Sequence, residues 1–304
     1  MNNTENTKSY ADFGLARSWR QLVHAFGGRR HAEENMGLLY EMLQTHEARI
    51  AAKLGRPIEG LRILEIGPGQ GMERGRYFGL KNEVTGIDLD VIPQGFEPGS
   101  YWRMLRKNGA GRFAKTIGRK LILAPANAAA WEKTVGQGKM RPPQVVHGDI
   151  CGTPPDFGQF DLIMSWSVFE HLPEPQAALD NAINVLRPGG VFYLSLHLYT
   201  SHNGHHDIRA FTGQEETLPL WGHLRPSTCH LINPSSYLNE WRLDKWRALF
   251  QSLNPTPDEF LEKYDSAENF ASRLTAEEMA DLEGYTEEEL HTVDVIYLWQ
   301  KPVS

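Results

Sequence analysis

Apolar residues in the first sixty positions recur at helical spacing, in Leu15, Trp19, Leu22, Val23 and Phe26 and again in Met36, Leu39, Tyr40, Leu43 and Ile50. This pattern predicts two amphipathic helices separated by Gly27-Gly28, the second stopped by Gly55-Arg56-Pro57, where Gly accepts positive φ and Pro cannot continue a helix. From Leu61 the period changes to short apolar runs bounded by Gly, Pro and Asp: LRILEIG, EVTGID, QVVHGD, FDLIMSW and GGVFYLSLHLY. Runs apolar on both faces predict strands covered on both sides, and a helical stretch from about Gln176 to Leu186 lies between the last two. Strands alternating with helices make an α/β protein with a doubly wound, mostly parallel sheet. TVDVIYLWQK reads as one more strand, placed at the sheet edge. The expected organisation is an N-terminal helical cap over residues 1–60 and one elaborated domain over 61–304, with an insertion at 91–141 and a lid region at 199–250.

Composition narrows the class. The 304 residues include 40% hydrophobic and 23% charged side chains, enough for a folded core without staples. A formal net charge of −7 argues against a surface built throughout to grip nucleic acid. Two cysteines, Cys151 and Cys229, make no disulfide framework and suit a reducing compartment. The polar start MNNTENTKSY lacks a signal pattern and no run approaches the roughly 20 apolar residues of a membrane span, so a cytoplasmic protein is expected. Charge is unevenly distributed. Residues 91–141 hold ten Lys and Arg against two Glu, whereas 251–290 hold twelve Asp and Glu against Lys263 and Arg273. Both segments read as solvated helical faces that attract one another; the alternative makes the insertion a basic cap over an anionic substrate.

The chemistry concentrates at strand ends. Glu65-Ile66-Gly67-Pro68-Gly69-Gln70-Gly71 follows the first strand and precedes a helix over Met72 to Phe78, so its backbone can approach a ligand at a helix start. A dinucleotide fingerprint needs its third glycine where Met72 stands, which disfavours that class. Asp88 ends the next strand, where a carboxylate can hold ribose hydroxyls, and Asp149 follows the third, within reach of an exocyclic amine. Either could instead be a turn or cap residue.

The motifs ILEIGPGQG, TGIDLD, HGDI, FDLIMSWSVFEHL and LRPGG, in that order over residues 61–198, resemble the class I S-adenosylmethionine-dependent methyltransferases of the small-molecule type. The resemblance implies a Rossmann-like fold and S-adenosylmethionine as cofactor. It implies that Glu65, Gly67, Gly69 and Gly71 line the methionine end, Asp88 with Leu89 the ribose, and Asp149 with Ile150 the adenine. Ser165 and Trp166 would then pass beside the sulfonium, and Arg187-Pro188-Gly189-Gly190 would turn into the fifth strand.

A hydroxyl acceptor must lose a proton, and His is the usual base. Six of the twelve histidines, His197, His202, His205, His206, His223 and His230, fall in one stretch after the fifth strand. His197, His202, His205 and His206 are the candidate catalytic residues; polar loop histidines are the competing reading. A metal is not expected, although His-x-x-His-His with Asp207 could supply donors. His171, Trp221, His223 and Arg225 are the candidate acceptor-binding residues, Arg225 as a bidentate cation for a carboxylate or phosphate. The expected activity is methyl transfer to a hydroxyl or amine of a small, anionic metabolite. A catalytically inactive cofactor-binding regulator and a nucleic-acid methyltransferase remain as alternatives.

Overall fold

The computed structural model describes residues 31–90, 98–99, 101–106, 109, 113, 117, 124–136, 142–153, 155–263 and 272–303. The expected helix over Leu15 to Phe26 and most of the basic insertion lie outside them.

Strands β1 (Arg62–Ile66), β2 (Glu83–Asp88), β3 (Gln144–His147), β4 (Phe160–Trp166), β5 (Leu186–His197), β6 (Asp258–Lys263) and β7 (Thr292–Gln300) form one sheet in the order β3-β2-β1-β4-β5-β7-β6. Strands β1 to β5 run parallel, while β7 is antiparallel to both β5 and β6. Alternate residues of each strand enter opposite cores, as a two-sided sheet requires. Leu64, Ile163, Phe192, Leu194 and Tyr297 share one core with α4 (Pro175–Val185) and α5 (Leu243–Gln251). Ile63, Met164, Trp166, Tyr193 and Ile296 share the other with α1 (Ala32–Leu54).

Helix α1 ends where its sequence stops it: Gly55 takes φ +68° and its N–H bonds the Ala52 carbonyl. Its buried residues Met36, Leu43, His46 and Ile50 lie on one face, turned to the sheet. From the insertion, α3 (Ala124–Val135) packs Trp131 edge-on against Tyr40 and Tyr77, and Lys133 pairs with Glu33 at 2.5 Å. The short α2 (Glu73–Phe78) starts after Met72, whose φ of +54° is left-handed.

Three expectations are corrected. TVDVIYLWQK is not an edge strand: β6 pairs outside it and takes the edge. Strand β6 comes from the acidic tail expected to be helical, and its charges hide the strand pattern; Glu259 pairs with Arg247, Glu262 with Arg49 and Asp258 with Lys53. Charged residues of this kind protect a sheet edge from further pairing. The expected attraction between tail and insertion falls mostly on residues outside the described ones. Tail acids also meet the lid region, where Arg225 takes Glu278 and Asp281, and Arg242 takes Glu289. Finally, Arg187-Pro188-Gly189-Gly190 belongs to β5 itself, with the left-handed backbone confined to Gly189 at φ +77°.

Candidate functional site

The carboxyl ends of β1, β2, β3, β4 and β5 share one edge of the sheet, and in open parallel sheets ligands bind outside that edge. The glycine turn leaves β1 there with Gly67 at φ +67° and Gly69 at φ +63°. The Gly67 N–H bonds the Ile87 carbonyl at 2.8 Å, and a Cβ on Gly67 would collide with Val168, so the turn must lie flat across the strand ends. At Gly69 a Cβ would meet nothing, so that side of the turn is open to a ligand.

Glu65 is 2% exposed and its Oε2 is buried without a hydrogen-bond partner. Burial pushes its carboxyl up to about 8, against the pull of Arg74. Asp88 holds the Asp90 N–H at 2.8 Å with one carboxylate oxygen, while Leu89 beside it is 63% exposed. Asp149 likewise caps Cys151 at 2.9 Å from an exposed position, and Ile150 is buried. Both acids thus fill the turn role that the sequence offered as the alternative. Ser165 is fully buried, its Oγ directed to the Ile66 carbonyl at 3.4 Å. The Trp166 indole turns into the α1 core, with His46 at 4.8 Å, Tyr193 at 5.0 Å and the Arg74 guanidinium over its ring at 5.3 Å. Arg74 and His46 had no signal in the sequence beyond their helical positions.

The histidines separate into two groups. In the first, the His206 ring lies 4.9 Å from His171 and 5.1 Å from His197, bringing together the turn after β4 and the loop after β5. His197 places Nδ1 3.3 Å from Asp294 on β7 and Nε2 3.0 Å from Asn203 Oδ1, with Ser201 Oγ at 3.3 Å. Burial lowers its pKa, but the Asp294 bond and charge, with Glu170, outweigh that and raise it. Glu170 is buried, receives the His197 N–H on Oε1 at 3.3 Å, and is pushed up to about 7 by burial. Burial lowers His206 to about 2. His171 binds the Tyr237 carbonyl through Nδ1 at 2.7 Å. Asp294 and Glu170 were missed by sequence reasoning; FEHL pointed only to the histidine, and Asp294 becomes a partner through β7 lying beside β5.

The second group adjoins the first, close enough for His202, His205 and His223 each to feel the charge of His197. His223 bonds the Tyr199 carbonyl at 2.7 Å and stacks edge-on with His205 at 5.2 Å; His205 accepts the Asp207 N–H at 2.8 Å. Burial lowers His202 and His205 to about 4 and His223 to about 3. Trp221 is 1% exposed in a small core with Leu224, Leu282 and Leu290, and its Nε1 donates to the Leu290 carbonyl. Arg225 is 4% exposed, held by Glu278 at 2.8 Å and Asp281 at 3.8 Å. Trp221 and Arg225 thus join lid to tail, because the acidic tail folds onto the lid.

Residues 15–252 match a family model described as a methyltransferase domain, well over half of the chain. No curated protein matches the sequence. Among solved structures, the chain is similar to the plantazolicin methyltransferase BpumL, solved with S-adenosylhomocysteine (10% identity, 98% of this chain and 93% of that one, TM-score 0.46). It is also similar to magnesium protoporphyrin IX methyltransferase from Synechocystis PCC 6803 (12% identity, 86% and 82%, TM-score 0.43) and to the N-methyltransferase NodS from Bradyrhizobium japonicum WM9 (14% identity, 85% and 87%, TM-score 0.39). With the family model spanning the glycine turn, Asp88, Asp149 and the histidine-bearing loops, the chain belongs to the class I methyltransferases that use S-adenosylmethionine as cofactor.

Proposed function

We propose that this methyltransferase acts on a hydroxyl of a small, anionic metabolite. The observation that carries the reading is His197, held by Asp294 on Nδ1 and presenting Nε2 to polar oxygens at the carboxyl end of β5. S-adenosylmethionine supplies a sulfonium methyl that needs no protein nucleophile. Glu65, Gly67, Gly69 and Gly71 would hold its methionine end, Asp88 and Leu89 its ribose, and Asp149 and Ile150 its adenine; the orphaned Glu65 Oε2 and the open face of Gly69 fit that group. Ser165 and Trp166 would form the backbone floor below the transfer position.

The protein's own work is to align the acceptor, exclude water and take its proton. His197 would take that proton on Nε2 once the acceptor's hydroxyl replaces Asn203 Oδ1 there, an amide oxygen that can only receive the Nε2 N–H, with Asp294 fixing the tautomer and stabilising the positive charge that forms on the imidazole. Ser201 and Asn203, already directed at Nε2, mark the side from which a hydroxyl arrives. His171 and His206 would line the acceptor's path, while His202, His205 and His223 would stabilise the lid. The basic insertion, with Arg103 and Arg106, would attract the anionic group. Free Cys151 and Cys229, and the lack of any described helix long and apolar enough to cross a membrane, fit action in the cytoplasm.

The test is turnover over matched panels of hydroxylated and aminated metabolites. Asp294→Asn and His197→Gln should each lower kcat on the hydroxyl substrate by about 100-fold or more, the contribution of a positioned base, with S-adenosylhomocysteine affinity unchanged. Turnover of amines alone, or wild-type kcat in both variants, would overturn the reading.

A further inference from the structure

Glu170, His171 and His206 each direct one ligand-type atom into a common space, all three atoms lying within 4.8 Å of one another. Of the three, His206 alone belongs to the His-x-x-His-His motif that suggested a metal in the sequence; Asp207 of that motif is instead taken by Arg209 at 2.7 Å and by the Asn233 N–H at 2.8 Å. We infer that Glu170, His171 and His206 form a binding site for one first-row divalent cation at the adjoining ends of β4 and β5.

Three independent features support the site. Glu170 is 2% exposed, and while Oε1 receives the His197 N–H, Oε2 is buried with no hydrogen-bond partner. Leaving a carboxylate oxygen so desolvated is costly unless a cation or a proton meets it. His171 is set in the tautomer a metal needs: Nδ1 faces the Tyr237 carbonyl at 2.7 Å and so carries the proton, leaving the lone pair on Nε2. An outer carbonyl orienting a ligating imidazole in this way is the usual support of a metal-bound histidine. His206, the third member, is held at φ +48°, a left-handed backbone rare for a side-chain-bearing residue, and this turn sets its ring beside His171. The strain is fixed by Ser235, whose N–H and Oγ both donate to the His206 carbonyl.

Two imidazoles and one carboxylate suit Zn²⁺, Co²⁺, Mn²⁺ or Fe²⁺, and not a thiol-seeking ion or one that demands oxygen ligands alone. Bonds of about 2.1 Å place neighbouring ligands about 3.0–3.4 Å apart, so atoms that start within 4.8 Å of one another need close by at most about 1.4–1.8 Å on binding. Three protein ligands leave coordination positions open. Those positions would take oxygen donors of the acceptor, and this role rests on the hydroxyl reading above; cation binding itself does not.

The experiment uses full-length protein purified without a polyhistidine tag, stripped with chelator and desalted. Cobalt(II) is titrated by visible absorption and zinc by calorimetry, with S-adenosylhomocysteine binding measured on the same samples. One equivalent of cobalt should bind, and Glu170→Gln and His206→Asn should each weaken it by at least about 100-fold, beyond the 10- to 100-fold typical of losing a supporting group. His230→Asn, in the exposed 229–231 turn, should leave cobalt binding unchanged. Folded wild type that binds S-adenosylhomocysteine yet takes up no cobalt would overturn the site, as would cobalt binding that survives both substitutions. Cobalt uptake by protein that methylates only amines would support the site while removing the hydroxyl reading.

Discussion

Glu65 should make cofactor binding release a proton. Its carboxyl is buried, its Oε2 has no partner, and it titrates near 8 where a free glutamate titrates at 4.5. At pH 7 it is therefore mostly neutral in the free protein. If it faces the ammonium of the cofactor's methionine end, only the ionised form makes the ion pair, and the free protein must first give up the proton. Each pH unit below 8 then costs about 1.4 kcal/mol of binding, a tenfold loss in affinity. Affinity for S-adenosylhomocysteine should rise about 50-fold between pH 6 and pH 8, the increase in the ionised fraction for this pKa. A carboxylate already ionised at pH 6 would instead give a flat profile. Calorimetry at pH 7 in two buffers of different ionisation enthalpy should find close to one proton released per cofactor bound. Glu65→Gln should abolish both the release and the pH dependence while keeping the side chain's shape. A flat profile in the wild type, or an equal slope in Glu65→Gln, would refute the placement of Glu65 against the cofactor.

Asp88→Ala should weaken S-adenosylhomocysteine by about 1.5–3 kcal/mol, the cost of losing a charged hydrogen-bond acceptor, and calorimetry reads it directly. His46 is held near 4 by burial, with Arg49 and Arg74 adding to the shift, so the unfolded chain binds a proton from pH 6.5 downward before the folded one does. Stability should accordingly fall as pH drops through 6.5, by about 2 kcal/mol between pH 7 and 5 from this group alone; denaturant titrations of His46→Gln should show a slope shallower by that amount. Arg225→Met should lower the melting temperature and leave the acceptor's KM unchanged, because its partners are Glu278 and Asp281; a raised KM at unchanged stability would restore the acceptor-binding role.

The parallel strands, α4, the stop of α1 at Gly55 and the glycine turn are legible in the sequence because each is a local pattern. Apolar runs, helical spacing and glycines at obligatory positive φ act over a few residues. The ordered motifs at successive strand ends likewise converge on one crevice, since a parallel sheet aligns every carboxyl end along one edge. Strand β6 escapes this reading because its acids, placed on an edge, erase the apolar alternation. Partnerships across the fold are of another kind. His197 meets Asp294 only because β7 inserts antiparallel beside β5, and Glu170 meets His206 only because the loop after β5 folds back over the turn after β4. Arg225 meets Glu278 and Asp281 only because the acidic tail lies against the lid. Residue type and strand-end position are written locally, whereas which charge faces which, and with how much water between them, is decided by segments distant in the chain that pack together.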